Sequence, residues 1–345
     1  TYTRKEECAC RFSFSFADVT LQGSRSQCSS GSVTNSSSFP PTNILRNIET
    51  LLTASLAPSS QKIYSKAWSI FHDFAVSQGF QPDSSQVSAS HIALFIAYLF
   101  GRKCAPKTIS TYLSAVSYVH KLKHNSDPTD SFLVKKLVAG SYRLCPSVDM
   151  RLPITVQVLN KLLSSLVHTA KNPFELVLFR AMFLFAFSAF ARVGEIATSG
   201  STANLVQFQD VSILRSKNNN PVVHVHFSNF KHNVRMQRHS ISFGHGPSSF
   251  SAVVSLENYL RYRGCHMGPL FLMLDNAPVA RNYFDKVLHS CLQFCGLDST
   301  LYKGHSFRIG AASLAAEQGH SDAHIRACGR WHSNAFRKYI RPSTT

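Results

Sequence analysis

From residue 58 onward, apolar side chains recur at helical spacing. In PSSQKIYSKAWSIFHDFAVSQG, Ile63, Ala67, Ile70 and Phe74 form one stripe, with Tyr64, Trp68, Phe71 and Ala75 beside it. Pro58 and Ser59 or Ser60 suit the start of this helix and Gly79 its end. Further helices are expected at 88–102, at 106–122 and at 129–143; in the second of these Ile109, Tyr112, Leu113, Val116 and Val119 share a face. TVQVLNKLLSSLVHT continues the helical pattern, and PFELVLFRAMFLFAFSAF (173–190) is apolar on every side. Glu175 and Arg180 interrupt that run, and a spanning helix wants about 20 apolar residues, so it reads as a buried core helix. The period then changes to two. ANLVQF, VSILR, PVVHVHF and VRMQRHSISF predict a small antiparallel sheet, with SNFKHN at the turn of a hairpin. AVVSLENYLRYR, ARNYFDKVLHSCLQFCG, SFRIGAASLAAEQG and SDAHIRACGRW return to helix.

The punctuation sets the domains. Residues 1–47, with SGSVTNSSSFPP at 30–41, have the composition of a disordered, low-complexity leader. LCPSVDMRLP (144–153) has two prolines and no periodicity and reads as a linker. The expected order is leader 1–47, helical domain 48–143, linker 144–153 and a larger domain 154–345. The fold class is mainly α (α+β): an all-α bundle, then a mainly helical domain with a small antiparallel sheet. A chain of 345 residues has room for roughly two domains. It begins with Thr1, which reads as a piece of a longer product.

Charge narrows the partner. Lys and Arg number 36 against 18 Asp and Glu, a net charge of +18, which points to a polyanion. The excess is spread along the chain and densest near its end. Lys62, Lys66, Lys103 and Lys107 stand on the first helices as candidate contacts, although any single lysine reads equally as solvated surface. No basic amphipathic helix supports a membrane surface instead. The nine cysteines are an odd number without a repeated CxxC, as expected for free thiols in a reducing compartment. His224 and His226 share a strand face, and no other pair supplies matching ligand spacing, so no metal is expected.

Chemistry concentrates toward the end. In GRWHSNAFRKYIRP, Tyr339 stands among Arg330, Arg337, Lys338 and Arg341, eight residues past Trp331. A phenol with a pKa near 10 is a poor nucleophile unless cations or a base assist it. Three earlier features offer that assistance. FARVGEIA places Arg192 and Glu195 three apart; Lys231 lies in the hairpin turn; GHSFRIG puts His305 and Arg308 on one helix face. No single motif decides, since His232 and Arg235 repeat the His-x-x-Arg spacing and Lys217 competes with Lys231. Together they fit phosphoryl transfer to tyrosine. Arg192 and Arg308 offer forks to the phosphate oxygens, His305 moves a proton, Lys231 protonates the leaving oxygen, Glu195 orients Arg192, and Tyr339 attacks. Arg330 and Arg337 are read as further contacts to the polyanionic partner. Tyr262, Tyr283 and Tyr302 are weaker candidates for the nucleophile, because none follows the His–Arg helix.

The A-R-x-x-E box, the hairpin lysine, the H-x-x-R box and G-R-W followed by Y-I-R resemble the tyrosine recombinases of the phage-integrase type. The resemblance covers about residues 58–342, its specific motifs lying within 190–342, and residues 58–143 resemble that family's core-binding domain. Trp331, where many members have histidine, and the GRW…F…YIR ending are most similar to recombinases of eukaryotic DIRS- and Ngaro-type retroelements or Cryptons. The resemblance implies that Arg192, Lys231, His305, Arg308 and Trp331 activate a DNA phosphate, that Tyr339 forms a 3′-phosphotyrosyl bond, and that no cofactor is required. It implies double-stranded DNA as the partner, a homo-tetramer on two DNA sites exchanging C-terminal segments, no membrane or small-molecule substrate, and a nuclear location. It also implies a tighter connection than usual between Trp331 and Tyr339. A catalytically inactive DNA-binding protein of the same fold, or a type IB topoisomerase-like relaxing enzyme, fits the same residues.

Overall fold

The computed structural model describes residues 42–146, 149–215, 220–228, 230, 238–244 and 250–341. The chain divides into two units, the boundary falling between Val148 and Asp149 inside the segment read as a linker.

The first unit is helical: α1 (Thr42–Ala54), α2 (Pro58–Ser77), α3 (Ala89–Gly101), α4 (Pro106–His124) and α5 (Phe132–Leu144). α2 and α4 each begin with proline, whose missing N–H costs nothing in a first turn. α4 ends at Asn125, in the left-handed conformation that asparagine tolerates better than most residues. The stripe read from the sequence is buried in part: Phe71 and Phe74 of α2 pack on Phe95 of α3 at 5.0 and 5.3 Å between ring centres. Ile92, Leu99, Ile109, Leu113 and Val116 complete this core. α1 is a difference from the sequence reading, which carried the leader to residue 47. Ile44, Leu45, Ile48, Leu51 and Leu52 already recur at helical spacing there.

The second unit is built on α7 (Pro173–Ser188), preceded by α6 (Val156–Thr169). Asn172 caps α7 by accepting the N–H of Glu175 at 2.8 Å. Phe179, Phe183, Phe185 and Met182 of α7 are buried, which is why the run is apolar on all sides. α9 (Ala252–Arg263), α10 (Arg281–Phe294) and α11 (Ser306–Glu317) pack around it: Phe183 meets Phe284 of α10 at 5.5 Å and Phe307 of α11 at 5.2 Å. After α7 come the short α8 (Val193–Ile196) and a three-stranded antiparallel sheet, β1 (Val211–Arg215), β2 (Pro221–Phe227) and β3 (His239–Phe243), in the order β1-β2-β3. Val223 and Val225 turn inward, while His224 and His226 face out, their Nδ1 atoms bonded to Ser242 and Ser240 across β3 at 2.7 and 2.8 Å. α12 (Asp322–Gly329) and a 3₁₀ helix over Asn334–Tyr339 close the unit.

ANLVQF is not a strand. Its Gln207 forms one isolated bridge, to Pro269, and proline has no N–H with which to continue a ladder. Val206 instead donates to the Glu195 carbonyl at 2.8 Å, tying this loop to α8. The second half of VRMQRHSISF lies in β3; residues 231–237, with Lys231, His232 and Arg235, are outside the described residues, as is Lys217.

Candidate active site

Three elements bring the predicted side chains together. α7 ends at Ser188, and Phe190 then takes a left-handed backbone (φ 48°), rare for an aromatic residue. Arg192 is the residue immediately before α8. Glu195, three positions on, reaches back so that its Oε2 accepts the Arg192 N–H at 2.8 Å, while its Oε1 accepts Arg192 Nη1 at 2.9 Å. The A-R-x-x-E spacing is thus a helix-capping arrangement that also fixes a guanidinium.

The second element is the start of α11. His305 precedes its first residue, and Arg308 lies one turn in. Gly304 allows the two boxes to meet: a Cβ there would sit 2.3 Å from Val193 of α8. Arg308 is fully buried, with Nη1 donating to the Phe190 carbonyl and Nη2 to the Gly329 carbonyl. Its Nε is buried without a hydrogen-bond partner.

The third element is the end of α12 together with the C-terminal segment through Arg341. A Cβ on Gly329 would fall 1.5 Å from the Trp331 ring, so glycine is required for Trp331 to fold back over the chain. That ring lies 4.2 Å from the Arg308 guanidinium carbon, a cation–π contact. Two residues later the chain enters the 3₁₀ helix, capped by Ser333 and anchored by fully buried Phe336 among Ala312, Ala315 and Ile325. This 3₁₀ path is the tight connection that the short Trp331–Tyr339 spacing calls for. It ends with the Tyr339 hydroxyl 2.8 Å from His305 Nε2 of the same chain, its ring 4.9 Å from Trp331. Ser313 holds the backbone there, donating to the Tyr339 carbonyl at 3.3 Å and accepting the Arg341 N–H at 2.9 Å.

Electrostatics follow from this packing. Burial, then the charges of Arg151, Arg308 and Arg192, pull the His305 imidazole down to about 4. It is neutral at pH 7 and able to accept a proton. Burial, then Arg192 and Arg330, push the Arg308 guanidinium below its usual value.

Arg192, Glu195, His305, Arg308, Trp331 and Tyr339 therefore converge. Two sequence readings change. Arg308 does not offer an open fork: Trp331, Tyr339 and two carbonyls cover it. Arg330, read as a DNA contact, has a side chain with no exposed surface and pairs with Glu195 at 2.6 Å. Arg337 is exposed, beside Asp322 at 3.0 Å, and Lys62, Lys66, Lys103 and Lys107 are exposed on the first unit. Sequence reasoning missed Arg151, assigned to the linker. It is clasped by Asp149 through two bonds of 2.7 and 2.8 Å, and Asp149 also meets Arg341 at 3.4 Å. MRLP carries no pattern that marks such a residue.

No family model matches the chain, and no curated protein matches it. Solved structures do. A lambda integrase dimer bound to a COC′ core site is 14% identical, over 87% of this chain and 77% of that one, with a TM-score of 0.54. XerH site-specific recombinase bound to palindromic difH substrate, a post-cleavage complex, is 16% identical over 81% and 75%, with a TM-score of 0.60. The Tn1549 transposon integrase with circular intermediate DNA is 12% identical over 77% and 84%, at 0.51. The chain has the tyrosine-recombinase fold. At such identities the likeness is one of architecture: a helical unit, then a helical unit with a three-stranded antiparallel sheet. The recombinase fold so assigned matches the fold class read from the sequence.

Proposed function

We propose that this chain is a tyrosine recombinase that cuts and rejoins double-stranded DNA through a 3′-phosphotyrosyl intermediate. The observation that carries the reading is the hydrogen bond between Tyr339 and a neutral His305, set among Arg192, Arg308 and Trp331. The Tyr339 oxygen attacks phosphorus, and its proton passes to His305 Nε2. The P–O5′ bond breaks, and the departing 5′-oxygen takes a proton, for which Lys231 is the candidate by resemblance. A 5′-hydroxyl from another strand then reverses the step, so the bond energy is kept and no nucleotide is consumed. The guanidinium groups offset the charge gathering on the phosphate oxygens, a role that calls for no divalent ion. Arg192, partly exposed, meets the phosphate first. Arg308 reaches it as Trp331 and Tyr339 give up part of their cover.

The solved structures of this fold support DNA as partner, since they hold a core site, difH or circular-intermediate DNA, and a lambda integrase tetramer holds a Holliday junction. We extend this to a homo-tetramer acting on two DNA sites. The GRW…YIR ending supports an origin in a eukaryotic mobile element and action in the nucleus. Among the described residues no helix is long and apolar enough to cross a membrane.

The test is covalent trapping. Protein and supercoiled plasmid are mixed in EDTA and quenched with detergent, with Tyr339→Phe alongside. Protein-linked nicks that vanish in the variant support the reading. DNA that is bound but never linked, on plasmids carrying varied inserts, refutes it in favour of an inactive binder.

A further inference from the structure

We infer that Arg330 is a positioning residue, one that shares Glu195 with Arg192 so that Arg192 keeps donors free for a phosphate. The inference rests on the recombinase reading of the site. The two guanidinium groups approach one carboxylate from opposite sides. Arg192 Nη1 takes Oε1 at 2.9 Å, and Arg330 Nη2 takes Oε2 at 2.6 Å. Glu195 is buried and Arg330 more so, whereas the Arg192 side chain is 23% exposed. A single guanidinium facing a buried carboxylate would spend its fork on that carboxylate. Arg330 supplies a second counter-charge from the inside, on the oxygen that also accepts the Arg192 backbone N–H, and the Arg192 guanidinium is left with one hydrogen bond to Glu195 and an exposed edge.

Arg330 cannot serve this role by contacting DNA, because its side chain has no exposed surface. Its environment is built for fixing a guanidinium. The guanidinium carbon stands 3.6 Å from the centre of the Phe227 ring of β2, and further hydrogen bonds run to the carbonyls of Ala189 and Phe190 at 3.4 and 3.5 Å. The Phe190 carbonyl is also the acceptor for Arg308. Arg330 has a left-handed backbone (φ 53°), as does Phe190 facing it, a strained pairing that only a closely packed neighbourhood maintains. One side chain thus ties the A-R-x-x-E box, the sheet and the turn before Trp331. Lysine at this position would keep the charge and lose the ability to bridge a carboxylate and two carbonyls at once.

The experiment compares Arg330→Gln, Arg330→Lys and the double variant Glu195→Gln/Arg330→Gln, each checked by thermal unfolding. The first readout is plasmid DNA affinity and the rate of covalent complex formation. The second needs no turnover: in a Trp68→Phe background, inorganic phosphate is titrated against Trp331 fluorescence. Arg330→Gln is expected to lower the linking rate about a hundredfold, with DNA affinity within about threefold. It should weaken phosphate binding at least about fivefold, by leaving Glu195 to Arg192 alone. The double variant should recover most of the phosphate binding, and Arg330→Lys should fall between. Phosphate binding unchanged in Arg330→Gln, or no recovery in the double variant, overturns the inference, as does a parent protein with no saturable phosphate response. Phosphate binding that follows the expected order in a protein that never links to DNA would sustain the positioning role and sink the recombinase reading.

Discussion

Two sets of cations, one in each unit, are held in opposite ways. On the helical bundle, Lys62, Lys66, Lys103 and Lys107 are exposed side chains on flexible stems. In the second unit, Arg308 and the Arg330 side chain are withdrawn from solvent and held by carbonyls, a carboxylate and aromatic rings. An exposed lysine adds a screened, replaceable increment of attraction to a polyanion. A buried guanidinium has lost its water and persists only where partners satisfy it in a set geometry. The first arrangement suits holding a backbone of phosphates, and the second suits acting on one. The same contrast holds for two histidines that burial, first among causes, pulls to about 4. His120 lies beside Trp68 and Phe71 in the helical core, while His305 holds Tyr339.

The largest effect that would break this contrast is at Arg308. Arg308→Lys is expected to slow covalent complex formation by about a thousandfold while leaving DNA affinity within about tenfold; equal losses in both would make it one more DNA contact. Next, Phe336→Ala should cost about 3–5 kcal/mol in urea unfolding of the second unit, because its ring is fully enclosed, and should detach Tyr339 from His305. Stability against pH comes third. Both histidines have depressed values, so the unfolded chain binds protons first as pH falls below its own value of about 6.5. Stability present above that pH is lost progressively down to about 4. His120→Leu should flatten this loss in the first unit and His305→Gln in the second, and a loss unchanged by either would assign it elsewhere. A smaller effect is expected at Lys103. Its replacement by alanine should lower the slope of log affinity against log salt by about 0.9 and leave the linking step intact. The smallest is spectroscopic: DNA should alter the emission of Trp331, above Arg308, and leave that of Trp68, inside the bundle, nearly unchanged.

The difference between the units also explains what could be read from the sequence. Helices α2, α3, α4 and α6 were legible because each buries a continuous stripe, and α7 because it buries most of its surface, so their periodicity records the packing. The Arg192–Glu195 and His305–Arg308 pairs were legible because helical spacing alone makes each pair neighbours. Arg330 was misread as a surface residue: its burial depends on Phe227 and Glu195, more than 100 positions earlier in the chain. ANLVQF alternates like a strand, but Pro269 opposite it cannot extend a ladder. Arg151 acts through its proximity to His305, which no local pattern encodes. The 3₁₀ helix bearing Tyr339 left a faint trace in the short spacing from Trp331, and its anchor Phe336 could have been noticed as the one large apolar residue among polar ones.

The central claim is that Tyr339 becomes joined to a DNA 3′-phosphate. The direct measurement is mass spectrometry of the protein–DNA adduct after trypsin and nuclease digestion, with the free DNA ends probed by 5′- and 3′-specific exonucleases. A nucleotide attached through its 3′-phosphate to the peptide containing Tyr339, with 5′ ends left open to the exonuclease, is the predicted result. Attachment at Tyr283 or Tyr302, or through a 5′-phosphate, would contradict it.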